Sequence, residues 1–184
     1  SPVTEADIAS HQILSSGLTK LDKDIPILSE EGNAIAMHDQ NLFWLIDPLD
    51  GTKEFINKNG EFTVNIALIE HGSPILGIVF SPAVEENFYG AIGLGAFKVN
   101  GQERTKILTK KQTKDECSVT LSKSHKSKDD EWFINECKKH FGVVHEVPTG
   151  SSLKLCRVAE GKADIYCRLG PTYHWDIAAG QAVV

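Results

Sequence analysis

The sequence has no apolar run long enough to cross a bilayer, which takes about 20 consecutive residues, and it has neither a signal peptide nor an initiator methionine. Its four cysteines form no CxxC pair, so no zinc site is predicted. A basic surface is also missing, because the formal charge is −6 at pH 7. These absences argue against a nucleic-acid binder and favour a cytoplasmic protein with reduced cysteines. An association with the inner face of the cell membrane stays open, although no residue argues for it.

The length of 184 residues suffices for one sizeable core. A helix signal follows the first three residues directly, and the last apolar run, 177–184, carries no stop signal. We therefore expect a chain that lacks elements at both ends.

The pattern changes character near the middle of the chain. Residues 1–105 combine an amphipathic N-terminal helix with alternating strands and hairpin turns, which predicts an α+β half. Residues 106–184 alternate strands with helices, which predicts an α/β half, incomplete at its C-terminus. The whole is predicted to be a layered α/β fold, with the functional site between the two halves.

One short stretch carries the first chemical signal. The apolar run 42–46 predicts a buried strand that delivers Asp47 and is stopped by Pro48, and Asp50 follows three residues after Asp47. Two carboxylates held that close favour a cation between them, and hard oxygen ligands suit Mg²⁺. Because Asp, Pro and Gly are also ordinary turn formers, this stretch alone leaves both interpretations open.

Further acids stand at comparable positions. Glu30 follows an apolar strand, and Asp176 lies beside Trp175 at the start of the last helix. Asp7 also fits a capping box with Thr4, which is an equally good structural explanation for it. Each acid could be solvated at its own turn, since spacing does not show that they meet.

The last third offers candidate phosphate contacts. Gly150 to Lys154 predicts a helix N-terminus with a lysine, although Ser151 or Ser152 could simply cap that helix. His125 fits an exposed loop histidine equally well, and Arg168 could hold a phosphate or nothing.

Several segments together resemble a known family. The match is to the lithium-sensitive, magnesium-dependent phosphomonoesterases of the inositol monophosphatase superfamily, and within it to the CysQ-type 3'(2'),5'-bisphosphate nucleotidases. The segments are Leu28-Ser29-Glu30-Glu31, Asp47-Pro48-Leu49-Asp50-Gly51-Thr52, Gly150-Ser151-Ser152-Leu153-Lys154 and Trp175-Asp176-Ile177-Ala178-Ala179-Gly180. Lys53-Glu54-Phe55 and the stretch 60–65 point to the nucleotidase branch.

This resemblance implies two Mg²⁺ sites. Glu30, Asp47 and the backbone carbonyl of Leu49 would hold one ion, and Asp47, Asp50 and Asp176 would hold the other. Two close metal ions activate a water and neutralise the leaving oxygen.

The same resemblance implies catalytic and substrate contacts. Asp7, Thr52 and Glu30 would be catalytic, with Thr52 orienting the water and Asp7 accepting its proton. The substrate contacts would be Leu49, Asp50, Gly51, Thr52, Ser122, His125, Gly150, Lys154 and Asp176.

The expected reaction is hydrolysis of the 3'-phosphate of adenosine 3',5'-bisphosphate to AMP and phosphate, in sulfur metabolism. The expected partner is this small nucleotide, with no nucleic acid and no obligate protein. Two alternatives remain: an inositol or sugar phosphate phosphatase on the same metal core, and a sensor that binds the nucleotide without turning it over.

Overall fold

The computed structural model describes residues 3–32, 40–111, 114–123 and 127–184. Its larger sheet has seven strands whose spatial order, β1 to β7, is also their order along the chain. The first pair is parallel and the other five pairs are antiparallel. The strands are β1 Ile27–Ser29, β2 Leu42–Asp50, β3 Thr63–Glu70, β4 Ser73–Ser81, β5 Glu86–Ala91, β6 Gly95–Asn100 and β7 Glu103–Ile107.

A smaller parallel sheet follows in the order β10-β8-β9. Its strands are β8 Glu116–Ser122, β9 Val143–Thr149 and β10 Ile165–Tyr166. The helices are α1 Glu5–Leu21, α2 Thr52–Ile56, α3 Lys128–Phe141, α4 Leu153–Ala159 and α5 His174–Val183. The predicted mixture of helices and sheets is confirmed, while the division at residue 105 into two halves stays a prediction.

Helix α5 packs directly on the larger sheet at two glycines. A Cβ built on Gly77 would lie 2.1 Å from the carbonyl oxygen of Ala179, and one built on Gly90 would lie 2.6 Å from that of Ala182. Any side chain at these positions would therefore push the helix away. This close approach sets the position of Asp176, which lies in the first turn of α5.

The main core lies between this face of the sheet and the last two helices. Its fully buried side chains include Phe88 and Val79 from the strands, and Cys156 and Val183 from the helices. The opposite face of β3 is less covered, since Val64, Ile66 and Leu68 are only half-buried.

The prediction that Pro48 ends its strand is wrong. Strand β2 continues to Asp50, and its pairing with β3 is irregular between Asp47 and Asp50. Proline has no N–H for the ladder, so it is accommodated at an irregularity where no ladder bond is required. Asp47 and Asp50 stand at the two ends of this irregularity, and both are still paired with β3.

Candidate active site

Asp47 is almost fully buried, with 1% of its surface exposed. Its Oδ1 accepts a hydrogen bond from the N–H of Leu49 at 3.1 Å. Its Oδ2 is also buried, and among the described residues no N–H or hydroxyl group donates to it, although the Glu30 carboxyl group interacts with Asp47. Buried carboxylate oxygens are nearly always paired, so this one is oriented as a ligand atom for a cation.

Asp50 is held by the start of α4. Its Oδ2 accepts hydrogen bonds from the hydroxyl of Ser151 at 2.5 Å, the hydroxyl of Ser152 at 2.6 Å and the N–H of Ser152 at 2.7 Å. Ser152 makes no side-chain capping bond within α4. The interpretation that these serines cap the helix is therefore wrong, because their hydroxyl groups point to Asp50 instead.

The backbone of Ser151 is strained in the left-handed region, with φ at 53°. Non-glycine residues adopt this conformation rarely, and strain of this kind is found at functional sites. This backbone conformation turns the Ser151 hydroxyl toward Asp50. The Thr63 hydroxyl oxygen lies 2.6 Å from the Ser151 hydroxyl oxygen.

Asp176 is fixed by residues just ahead of its helix. Its Oδ2 accepts a hydrogen bond from the hydroxyl of Thr172 at 2.8 Å and from the N–H of Tyr173 at 3.0 Å. Both donors come from the approach to α5, so the carboxylate is oriented by the helix start itself. Thr172 was not anticipated from the sequence, although a threonine shortly before an acid at a helix start is a recognisable signal.

Three of the predicted acids converge. Carboxylate oxygens of Asp47, Asp50 and Asp176 all lie within 4.8 Å of one another. Glu30 follows β1, and its N–H donates to the carbonyl of Ile46 at 3.2 Å, which holds the turn against β2. In addition to its burial, the negative charges of Asp176 and Asp50 raise the pKa of Glu30. The acids predicted from separate parts of the sequence thus form one cluster.

The cluster is electrostatically unfavourable without a cation. Burial raises the pKa of Asp47 well above its ordinary value, and the charges of Asp50, Glu30 and Asp176 raise it further. Burial likewise raises the pKa of Glu30. A divalent cation bound between these acids would offset the repulsion between their negative charges and favour their ionised forms.

Helix α1 brings Asp7 to the same region. The hydroxyl of Ser10 donates to the carbonyl of Pro48 at 2.8 Å, and a ring nitrogen of His11 lies 2.8 Å from the hydroxyl of Ser29. Asp7, one turn earlier, is buried. The predicted capping box is confirmed, since Asp7 accepts bonds from the N–H and hydroxyl of Thr4 at 2.8 and 2.5 Å.

Thr52 and Leu49 lie on the turn that follows Asp47. Both are buried, and the Thr52 hydroxyl is 3.5 Å from the carbonyl oxygen of Leu49. Gly51, between Asp50 and Thr52, has φ at 88°, so the tight turn into α2 needs a glycine there.

An open cleft of about 400 Å³ adjoins the acids. Its walls carry Asp50 and Asp176 together with the cations Lys53, Lys154 and Arg168. The other wall residues are Gly51, Thr52, Glu54, Ser122, Ser151, Ser152, Leu155, Tyr166 and Thr172. A cleft whose walls carry both acidic and basic side chains suits a metal-bound anionic substrate.

The two basic side chains from the last third are held differently. Lys154 Nζ donates to the carbonyl of Ser151 at 2.6 Å and lies 5.6 Å from the centre of the Tyr166 ring. Burial lowers its pKa, although the charge of Asp50 acts in the opposite direction. Arg168 donates to the carbonyl of Pro171 at 2.7 Å and has further donors that this bond does not use.

Two predicted substrate contacts stand apart from this picture. The N–H of Gly150 donates to Glu61 Oε2 at 3.1 Å, and a Cβ on Gly150 would lie 2.7 Å from that of Glu61. Gly150 is thus packed against Glu61, and its contact with a substrate stays a prediction. His125 lies outside the described residues.

Comparisons with known proteins agree with this geometry. The family model described as "Inositol monophosphatase family" matches residues 1–184. The 3'(2'),5'-bisphosphate nucleotidase CysQ of Salmonella typhimurium is 48% identical over all of this chain and 72% of its own length. That of Haemophilus influenzae is 35% identical over all of this chain and 68% of its own length.

The solved structure of CysQ from Bacteroides thetaiotaomicron, described as a bacterial member of the inositol monophosphatase family, superposes with a TM-score of 0.88. It is 36% identical, and the match covers 96% of this chain and 70% of that one. In the part of the chain that the structure describes, no helix is long and apolar enough to cross a membrane. The sequence resemblance is confirmed: the chain belongs to the inositol monophosphatase family.

Proposed function

We propose that this protein is a magnesium-dependent 3'(2'),5'-bisphosphate nucleotidase that hydrolyses the 3'-phosphate of adenosine 3',5'-bisphosphate to AMP and phosphate. The observation that carries the proposal is the convergence of Asp47, Asp50 and Asp176 within 4.8 Å, beside a cleft whose walls also carry basic side chains. The names of the nucleotidase relatives supply the substrate class. Such a reaction would serve sulfur metabolism by removing a by-product.

The residues present fit a hard divalent cation. The unpartnered Oδ2 of Asp47 is buried beside two further carboxylates, and all the candidate side-chain ligands are oxygen donors. Asp47 is the proposed shared ligand of two ions, with Glu30 and the Leu49 carbonyl completing one site and Asp50 and Asp176 the other. When bound, Mg²⁺ supplies charge that polarises the phosphoryl group and lowers the pKa of a water.

The protein's own groups direct that water. Thr52 is proposed to orient it for in-line attack on phosphorus, and Asp7 is proposed to accept its proton. A new P–O bond forms to the water oxygen as the bond from phosphorus to the ribose 3' oxygen breaks, and that oxygen leaves with the electron pair and takes a proton from a solvent water, with no covalent enzyme intermediate. The burial of both residues keeps the proton transfer away from bulk solvent.

The remainder of the substrate is proposed to lie along the cleft, whose volume suits a mononucleotide. Lys154 and Arg168 would hold the phosphate that is not cleaved, because both are basic side chains on the cleft wall. The amides of Gly51 and Thr52 would hold the scissile phosphate, and Ser122 and His125 the nucleoside.

The test is release of inorganic phosphate from adenosine 3',5'-bisphosphate with Mg²⁺ and with EDTA, by the wild type and by Asp50→Asn. We expect Mg²⁺-dependent release by the wild type and a loss of at least 100-fold in the variant. Inositol 1-phosphate in parallel separates the nucleotidase from an inositol phosphatase. Nucleotide binding without phosphate release would instead establish a sensor.

A further inference from the structure

Ser152 occupies a central position among the groups that hold the acids. It is buried, with 4% of its surface exposed. Its hydroxyl oxygen lies 2.6 Å from Asp50 Oδ2, 2.7 Å from the backbone carbonyl oxygen of Asp176 and 2.8 Å from the amide nitrogen of Asn65. One oxygen therefore contacts the end of β2, the first turn of α5 and the middle of β3.

The chemistry of these contacts limits the groups to which the Ser152 hydroxyl can donate. The Asn65 amide nitrogen can only donate, so it occupies a lone pair of the Ser152 oxygen. The single hydroxyl proton is then left for the two acceptors, Asp50 Oδ2 and the Asp176 carbonyl. Asn65 is itself buried on β3 directly opposite Asp47, which gives this donor a rigid base.

Ser152 restrains the Asp50 carboxylate through two of its own groups. Its backbone N–H and its hydroxyl both reach Oδ2, at 2.7 and 2.6 Å. The Ser151 hydroxyl and the Ser152 N–H donate to this oxygen, and the Ser152 hydroxyl proton is shared between it and the Asp176 carbonyl, which favours the other carboxylate oxygen for a metal. A carboxylate fixed in this way loses little conformational freedom when it binds a cation.

We propose that Ser152 is a positioning residue that sets the separation of two metal-ligating acids, Asp50 and Asp176. These acids come from elements far apart in the sequence, and the Ser152 hydroxyl lies between them. The inference rests on the metal site of the proposed function, but not on the identity of the substrate. Ser152 acts through Asp50 and Asp176, and needs no contact with the reacting phosphate.

The experiment measures metal binding without a substrate. Free Mn²⁺ is titrated by electron paramagnetic resonance in the presence of the apo-protein, for the wild type, Ser152→Ala and Ser81→Ala. Ser81 is the matched control, because it is a buried serine, at the end of β4, that donates to the carbonyl of Phe62 and not to an acid. The Ser81→Ala variant shows how much the removal of any buried hydroxyl group changes the Mn²⁺ affinity.

We expect Ser152→Ala to raise the Mn²⁺ dissociation constant roughly tenfold or more, the scale for groups that orient metal ligands, and Ser81→Ala to change it less than twofold. Ser152→Cys keeps the shape of the side chain but replaces the hydroxyl with a larger group that is only a weak donor, so it should shift the constant in the same direction. An unchanged constant in the Ser152 variants, or an equal rise in Ser81→Ala, would overturn the proposal. Wild-type protein that bound Mn²⁺ but released no phosphate would contradict the proposed function alone.

Discussion

Gly77 on β4 lies against Ala179 of α5 with no room for a side chain, since an added Cβ would be 2.1 Å from the Ala179 carbonyl oxygen. The helix axis is held at this distance from the sheet, and Asp176 is placed by the same contact because it lies one turn earlier in α5. The geometry of the acid cluster therefore depends on a residue that carries no functional group.

Gly77→Ala should lower the free energy of unfolding by about 3 kcal/mol, because backbone atoms must move to admit the methyl group. Gly17→Ala is the matched substitution: Gly17 is exposed inside α1 and a Cβ there meets nothing within 4 Å. It should raise stability by about 0.5–1 kcal/mol through helix propensity. Urea unfolding measures the free energy of unfolding of both variants. Equal changes in the two variants would contradict the packing argument.

Asp47→Asn should stabilise the metal-free protein while abolishing phosphate release. Burial and its acidic neighbours raise the pKa of Asp47 in the folded protein above its value in the unfolded chain, which is about 4. The protonated carboxyl group therefore stabilises the fold fully below about pH 4, and this contribution is lost as the pH rises through the folded-state pKa. The asparagine cannot ionise and avoids this loss.

The stability advantage of Asp47→Asn in EDTA should accordingly grow between pH 4 and pH 8, and Mg²⁺ should remove it by stabilising the wild type alone. Glu103→Gln serves as the control, since Glu103 is an exposed acid on β7. A wild type that is more stable than the variant in EDTA at pH 8 would rule out the proposed charge repulsion.

Asp7 has a confirmed capping role and a proposed catalytic role, and two substitutions separate them. Asp7→Asn keeps an oxygen that can accept the Thr4 N–H but cannot take a proton from water. It should preserve stability while lowering kcat about 100-fold. Thr4→Ala removes the cap and should cost about 1 kcal/mol of stability, with kcat within a few-fold of the wild type. A similar loss of kcat in both variants would leave Asp7 with its structural role only.

Glu160→Gln should destabilise the protein by about 2 kcal/mol, between the scales for an exposed and a buried ion pair, because its partners are partly exposed. The Glu160 carboxylate pairs with Arg157, with Lys98 at 3.2 Å and with Lys162 at 3.1 Å, and its side chain is 6% exposed. This network ties the end of α4 to the strand that carries Lys98. The exposed pair Glu136–Lys139 is the control, where Glu136→Gln should cost under about 0.5 kcal/mol.

The pH dependence of this network has the opposite sign to that of Asp47. Burial alone would raise the pKa of Glu160, but the hydrogen bonds and charges of Arg157 and Lys162 outweigh it and the pKa is lowered. Its contribution is present above the ordinary pKa of about 4.5 and is lost as the pH falls through the lower folded value. The difference between wild type and Glu160→Gln should therefore narrow on acidification.

The sequence identified the acids because each stands in a short motif at the end of a strand or the start of a helix. It could not show that Asp47, Asp50 and Asp176 meet, since that depends on how α5 packs on the sheet. Ser152 illustrates the same limit. A serine at a helix start usually caps that helix, and its contact with Asp50, a hundred residues away in the chain, is a tertiary effect.

The prediction that the strand ends at Pro48 is wrong for a related reason. Proline in a strand pattern predicts an end, but an irregular pair lets the strand continue. Asp7 shows the reverse case, because the capping box was readable from Thr4 and Asp7 alone. Local patterns are predictable where the partners are neighbours in sequence, and roles that depend on distant elements are not.

The neighbour-by-neighbour order of the larger sheet also bears on how the protein folds. Each strand from β2 to β7 pairs with the next one along the chain, so the sheet that carries Asp47 and Asp50 can form through contacts that close only short loops. Asp176 lies far from both along the chain and joins them only when α5 docks on the sheet. A cation that needs all three acids would therefore bind only after this docking.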